Sequence, residues 1–142
     1  IHKYLNRISG PLLDRIDIQI EIVPVPFEKI SDSRPSEPSS QIRERVIRAR
    51  EIQSQRFKGE PGIYCNAQMN TKQLTRYAEP DAQGKQRLKA AMNRLSLSAR
   101  AYDRILKVAR TIADLDNSPS VKVQHISEAI TYRNLDRENW AQ

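Results

Sequence analysis

Residues 98–115 show the most regular helical pattern in the chain, and this pattern decides much of what the chain can fold into. Their apolar side chains recur at helical spacing on one face, which consists of Ala99, Tyr102, Ile105, Leu106, Ala109, Ile112 and Ala113. Ser98 stands directly before them, where a serine can accept a hydrogen bond from the first turn of a helix. Because a helix with one apolar stripe must bury it against other elements, we predict a helical domain around this segment.

Four other segments are predicted to be helices from the same kind of spacing. The longest covers residues 39–57, and Ser39 or Ser40 is predicted to cap it. Its apolar face consists of Ile42, Val46, Ala49 and Phe57. One shorter predicted helix is 71–77, with Thr71 as its cap. Another starts at Pro80 and Asp81 and carries Leu88, Met92 and Leu95 on one side. The last is marked by Ile126, Ala129 and Ile130, with Arg133 near its end.

The long predicted helix also carries arginines away from its apolar face: Arg43, Arg45, Arg48, Arg50 and Arg56. A charge run of this kind usually forms a solvated helix surface, and we favour that interpretation. The alternative is a surface that binds nucleic acid. The net charge of +7, from 24 Lys and Arg against 17 Asp and Glu, allows this without requiring it. Aromatic residues make up only 6% of the chain, which argues against a stacking platform for single strands.

Residues 15–23 carry a different pattern, in which polar and apolar side chains alternate. Ile16, Ile18, Ile20 and Ile22 would share one face of a β-strand. Pro24 and Pro26 would end that strand, since proline cannot donate to a sheet ladder. A lone strand needs a partner, and little else in the chain resembles a strand. We therefore expect its partners before residue 1.

Residues 28–40 separate this predicted strand from the helices. They contain five serines and two prolines, so they bury little apolar surface and are predicted to form a flexible linker. The chain begins with Ile1 rather than Met, which suggests a piece of a longer protein. It has no apolar run of membrane-spanning length and only one cysteine, Cys65, and both features favour a cytoplasmic protein.

The sequence offers little for a metal site or for carboxylate catalysis. His2 and His125 are far apart and lack cysteine or acidic neighbours at ligand spacing, so no zinc site is predicted. Two pairs of aspartates could be imagined as catalytic carboxylates, Asp14 with Asp17 and Asp114 with Asp116. Capping and ion-pair roles are the favoured prediction for them.

The segment Gly10–Asp17 combines a Gly-Pro turn signal, two leucines and an arginine between two aspartates. An apolar anchor followed by such a turn can hold Arg15 at the edge of a domain, pointing outward. Its guanidinium fork would suit phosphate, because it donates two parallel hydrogen bonds. The alternative is a surface ion pair with Asp14 or Asp17, which would contribute little to stability.

This segment resembles the block that follows sensor 1 in magnesium-chelatase-like AAA+ ATPases, and more loosely a block of the replicative MCM helicases. In those families the arginine is the arginine finger, which reaches the γ-phosphate of ATP bound by the neighbouring subunit. The resemblance implies that Arg15 is the catalytic residue of this chain.

Arg100 lies in the first turn of the helix predicted after Ser98. A helix start favours anions, so an arginine placed there suggests a ligand, although it could also be an exposed arginine without a special partner. Leu97–Leu115 is similar to the sensor 2 helix of magnesium-chelatase-like ATPases of the competence (ComM/YifB) type. Gly62–Met69 and His125–Arg133 also resemble that family. The resemblance implies that Arg100 contacts the phosphates of the nucleotide.

The resemblance implies a mainly α fold: a helical AAA+ lid bundle preceded by one β-strand left over from the ATPase core. The implied division is 1–27 as the end of the core, 28–40 as linker and 41–142 as the C-terminal lid. ATP and Mg²⁺ would be cofactors of the full-length protein, with none bound to this piece. The chain has no Gly-x-x-x-x-Gly-Lys-Ser/Thr motif, so we expect that phosphate cradle upstream and no ATPase activity from this piece alone.

The implied partners are the upstream AAA+ core and identical subunits in a hexameric ring, with DNA as a possible further partner and no membrane. Two alternatives stay open beside this. One is a stand-alone basic helical module that binds nucleic acid. The other is a passive interaction domain whose arginines serve only solubility.

Overall fold

The computed structural model describes residues 8–133, and within this range it contains seven α-helices and no β-strand. The helices are α1 (Gly10–Leu13), α2 (Phe27–Ile30), α3 (Ser39–Arg56), α4 (Thr71–Tyr77), α5 (Ala82–Arg94), α6 (Ala99–Leu115) and α7 (Val123–Thr131). A 3₁₀ helix, Asn66–Gln68, lies between α3 and α4. The prediction of a mainly α chain is confirmed. His2, Arg7 and the tail with Trp140 lie outside the described residues.

The β-strand predicted for residues 15–23 is wrong for the structure of the described chain. The isoleucines alternate as a strand would, but a ladder needs a second strand, and residues 8–133 provide none. The backbone N–H of Gln19 instead donates to the carbonyl oxygen of Tyr132 at 2.8 Å. Ile20 and Ile22 remain 66% and 91% exposed. The apolar face of the predicted strand is therefore uncovered.

Helix α6 lies at the centre of the bundle, as its apolar stripe predicts. It packs against α3, α4, α7 and the 3₁₀ helix, and α5 packs against α7. The core residues that α6 contributes are Ile105, Leu106, Ala109 and Ala113. Those from the other elements include Phe57, Met69, Leu74, Leu88, Val121, Ile126 and Ala129. The prediction that the buried stripe begins at Ala99 is wrong, because Ala99 and Tyr102 are exposed.

Three helix starts show the capping expected of their residue types, though not all at the predicted position. Ser98 caps α6 as predicted, accepting from the backbone N–H of Ala101 at 3.2 Å. The cap of α4 is Asn70 rather than Thr71, since the Asn70 side chain accepts from the backbone N–H groups of Lys72 and Gln73. Asp81 caps α5.

Helix α3 departs from its prediction in two ways. It begins at Ser39 after Pro38, with no side-chain cap, so the serine cap is wrong. Its first half is also not buried: Ile42 and Val46 are 44% and 47% exposed, whereas Ala49 and Phe57 lie in the core. Every residue from 20 to 48 is exposed. The bundle therefore covers α3 only along its C-terminal half.

A buried polar network joins the C-terminal end of α3 to α6. The fully buried carboxylate of Asp114 accepts hydrogen bonds from Arg56, from Asn66 at 2.8 Å and from Arg110 at 3.2 Å. The favoured prediction that α3 exposes its arginines to solvent is therefore wrong for Arg56, whose side chain is only 11% exposed. A buried charge needs partners of this kind, because desolvation otherwise disfavours it strongly.

Arg110 is the second cation of this network and ties three chain segments together. Its guanidinium donates to the carbonyl oxygens of Tyr77, Ser118 and Pro119 at 3.3, 2.6 and 3.1 Å. Burial lowers the pKa of Arg110 from its usual value, and the negative charge of Asp114 acts in the opposite direction. The network therefore holds the end of α4 and the loop before α7 against α6.

The predicted structural roles of Asp114 and Asp116 are confirmed. Asp116 follows α6 and lies 2.8 Å from Nε2 of the buried His125. Nδ1 of that ring accepts from the backbone N–H of Lys122 at 3.0 Å, so the ring proton sits on Nε2 and is donated to Asp116. This contact fixes the start of α7 against the end of α6.

Candidate functional site

Arg15 stands in the turn that follows α1. Pro11 opens this helix, and the backbone N–H of Arg15 donates to the carbonyl oxygen of Leu12 at 3.0 Å, which closes the turn. The Arg15 side chain is exposed. Within the described residues no hydrogen bond or ion pair engages its guanidinium. The backbone at this position is thus held, while the guanidinium makes no such contact within residues 8–133.

The alternative ion pair between Arg15 and a neighbouring aspartate does not form in the described chain. Asp17 instead pairs with Arg104 of α6, whose side chain is 30% exposed. No ion pair in residues 8–133 joins Arg15 to Asp14. The surface ion-pair interpretation of Arg15 is therefore wrong.

Arg100 is the second residue of α6, which begins at Ala99 after the cap residue Ser98. Its side chain is exposed, and no residue of the described range accepts a hydrogen bond from it. The free N–H groups at a helix start carry partial positive charge, so Arg100 adds a full charge to a place that already favours anions. No ion pair within the described bundle engages that charge.

The ion pair between Asp17 and Arg104 joins the segment that carries Arg15 to the helix that carries Arg100. Arg104 follows Arg100 by one helical turn and shares its face of α6. Asp17 follows Arg15 by two residues. The turn after α1 therefore contacts the N-terminal half of α6, although no hydrogen bond or ion pair within residues 8–133 joins Arg15 to Arg100 directly.

One residue of this region was missed as a functional candidate. Arg133 comes just after α7, and its side chain is almost fully buried although it is charged. Its guanidinium donates to the backbone of the turn around Arg15, with the shortest contact 2.6 Å to the carbonyl oxygen of Ile16. The sequence places Arg133 near a helix end and gives no signal for a partner more than a hundred residues away.

The described residues offer no cluster of three His, Cys, Asp or Glu side chains that could hold a metal ion. None of the described helices combines the length and the apolar character that a bilayer crossing requires. Arg15 and Arg100 present exposed guanidinium groups, which are suited to anions and phosphates.

A family model described as magnesium chelatase, subunit ChlI C-terminal, matches residues 36–133. The chain belongs to the magnesium chelatase ChlI family. A second model, described as magnesium chelatase, subunit ChlI, matches residues 1–30. The resemblance on which the site predictions rest is thereby confirmed, and this family is a family of ATPases. The chain corresponds to the C-terminal portion of a ChlI-like protein.

Curated relatives in this family match almost the whole chain. The competence protein ComM of Haemophilus influenzae is 42% identical over 138 residues, which are 96% of this chain and 26% of that protein. The uncharacterized protein YifB of Escherichia coli is 40% identical over 136 residues, which are 95% of this chain and again 26% of that protein. An uncharacterized protein of Mycobacterium tuberculosis is 34% identical over 131 residues, 92% of this chain and 26% of that protein. The chain thus spans about a quarter of the length of the relatives it matches.

Proposed function

We propose that this chain is the lid region of an AAA+ ATPase and supplies two arginines to ATP hydrolysis. Arg15 would act as the arginine finger, and Arg100 as the sensor 2 residue. The proposal is supported by the family match over the segments that carry the two arginines, together with their exposure and the lack of an internal partner within the described residues. In a family of ATPases, the phosphate groups of ATP are the anions to which these two guanidinium groups would donate hydrogen bonds.

The surroundings of Arg15 support a role in the transition state. Its backbone is fixed by the turn after α1, while its guanidinium is exposed at the edge of the described bundle. An arginine finger stabilises the charge that develops as the phosphoryl group leaves, which is worth about 10³–10⁵-fold in rate. An exposed position at the edge of the bundle suits contact with the nucleotide of a neighbouring subunit.

The surroundings of Arg100 support a role in nucleotide binding. Its place in the first turn of α6 combines a free cation with the N–H groups of a helix start. A group that touches phosphate in the ground state affects affinity as well as turnover. Arg100 would also transmit phosphate contact to the centre of the bundle, because α6 packs against α3, α4 and α7.

The cofactors of this function would be ATP and Mg²⁺, held by residues of the full-length protein outside this chain. Its partners would be identical subunits in a hexameric ring and the upstream core. The relative named competence protein favours a cellular role in competence, which extends to this chain as part of the proposal. The ring and its symmetry rest on family analogy.

The test compares Arg15→Ala and Arg100→Ala in the full-length protein. We expect Arg15→Ala to leave ATP affinity nearly unchanged and to lower turnover by about 10³-fold or more, because its contact is made mainly in the transition state. Arg100→Ala should weaken both affinity and turnover. Arg87→Ala is a matched control, since Arg87 is another exposed arginine without an ion pair in the described chain.

A mixing experiment tests whether Arg15 acts across a subunit interface. Subunits with Arg15→Ala are combined with subunits that lack the Walker A lysine, and ATPase activity is measured. Mixed rings should regain activity, because each subunit supplies what the other lacks. Intact mixed rings that stay inactive at every ratio would refute the action of Arg15 in trans.

A second candidate function is non-specific binding of nucleic acid by the exposed surface of α3. Arg43, Arg48 and Arg50 are exposed there and form no ion pair in the described residues, unlike Arg45, which pairs with Glu37. Binding of a fluorescent duplex should be weak, and its log affinity should fall steeply with log salt. Tight binding that persists at high salt and prefers one sequence would instead favour a specific nucleic-acid module.

A further inference from the structure

The guanidinium of Arg133 lies against the backbone on both sides of Arg15. Nη1 donates to the carbonyl oxygen of Ile16 at 2.6 Å. Nη2 lies 3.4 Å from the carbonyl oxygen of Leu13 and 3.5 Å from that of Asp14. Backbone carbonyl groups on both sides of Arg15 therefore face the same buried cation.

These contacts restrain the backbone around Arg15 and therefore the direction in which its side chain points. Leu13 ends α1, and the last carbonyl groups of a helix have no partner within it, so a cation there satisfies them. The side chain of Gln19 adds a bond to the carbonyl oxygen of Leu13 at 3.1 Å. Arg133 is 1% exposed, and its backbone N–H donates to the carbonyl oxygen of Ile130 at the end of α7 at 3.0 Å. The turn that carries Arg15 is thus joined to the bundle through a buried donor.

We infer that Arg133 is a positioning residue for Arg15. This inference rests on the proposed role of Arg15 as an arginine finger. Arg133 would hold the backbone of Arg15 at the place from which the Arg15 guanidinium reaches phosphate. The position of Arg15 would then depend on how the bundle positions Arg133. An arginine suits this task better than a lysine, because its planar fork can face two separated carbonyl groups at once.

The kinetic test uses Arg133→Lys in the full-length protein, which retains the charge and loses the fork. A misplacement of about 1 Å can lower turnover about 10²-fold, so we expect kcat to fall about 10–100-fold with little change in the KM for ATP. Gln19→Ala should have a smaller effect in the same direction. Arg110→Lys is the matched control: it alters another buried arginine that bonds backbone carbonyls away from Arg15. It should lower the melting temperature without this loss of kcat.

A double variant separates positioning from general destabilisation. If Arg133 acts only through Arg15, then Arg15→Ala/Arg133→Lys should turn over no more slowly than Arg15→Ala alone. A further loss of rate in the double variant would overturn the inference, since it would show that Arg133 acts elsewhere.

Hydrogen exchange distinguishes a failure of this inference from a failure of the proposed function. Arg133→Lys should speed amide exchange in residues 12–19 while exchange in the middle of α6 stays slow. If Arg15→Ala retains full activity but exchange still rises locally, the finger assignment fails and the anchoring stands. If Arg15→Ala is inactive and Arg133→Lys changes neither kcat nor local exchange, the finger stands and the positioning role is refuted.

Discussion

The substitution Asp114→Asn tests whether the buried network, rather than apolar packing alone, holds α3 against α6. Asp114 is the carboxylate that faces both Arg56 and Arg110, and its side chain has no solvent exposure. Asparagine keeps the shape and removes the charge. Two largely buried guanidinium groups then lose their counterion.

The expected loss can be worked out from this geometry. Removing one partner of a buried ion pair costs about 3–5 kcal/mol, because the other charge stays buried without compensation. The amide oxygen of the substituted side chain could still accept one of the hydrogen bonds, so we expect a value near the lower end, about 3 kcal/mol. Small domains are stable by only about 5–15 kcal/mol, so this would remove a large part of the total.

Urea unfolding of the 142-residue chain, followed by circular dichroism, measures the effect. With a slope of about 1.5 kcal/mol per molar urea, the midpoint should fall by about 2 M. Asp116→Asn is the control: that side chain is 58% exposed, and its loss should cost about 1 kcal/mol or less. Equal and small losses for both variants would refute the claim that the buried charges depend on Asp114.

Two further predictions concern stability. Gly84→Ala should destabilise the chain by about 1–3 kcal/mol, because a Cβ at Gly84 would lie 2.9 Å from the Pro80 side chain. This loss is expected although alanine usually favours a helix. Gly10→Ala is the control: its Cβ would meet nothing within 4 Å, so the urea midpoint should change little. In the folded chain the pKa of Glu60 is lowered, mainly because its carboxylate accepts a hydrogen bond from Gln73. The ionised Glu60 therefore stabilises the fold at pH values above its unfolded pKa, and this stabilisation is lost as the pH falls through the folded pKa. Glu60→Gln should therefore show a smaller drop in urea midpoint than the parent chain between neutral and acid pH, and an equal drop would contradict this.

The features that the sequence predicted well depend on nearby residues. The stripe of α6 and the Ser98 cap follow from a spacing of a few positions, and the structure confirms both, apart from the exposed start of the stripe. Exposed arginines next to turn or cap signals could likewise be identified as candidates. Their action on ATP stays a prediction, because the described structure contains only one side of the interaction.

The features that the sequence missed depend on distant residues. Arg56 looked like one more solvated arginine, because its partner Asp114 lies 58 positions away. Arg133 carried no local sign that it contacts Ile16, 117 positions away. The isoleucine pattern in 15–23 indicated a strand correctly as a local preference, but a strand forms only where a second one can pair with it.

The exposed isoleucines of residues 16–22 lead us to expect that the isolated chain aggregates at high concentration. Residues 16–23 combine high β-propensity with backbone groups that no ladder in the described chain occupies, and such an edge can template pairing with a second copy. Pro24 and Pro26 act as gatekeepers at one end, since neither can extend a ladder. Ile22 is 91% exposed and contributes little packing to the described chain, so Ile22→Lys is the change that would most simply keep this chain monomeric in concentrated solution.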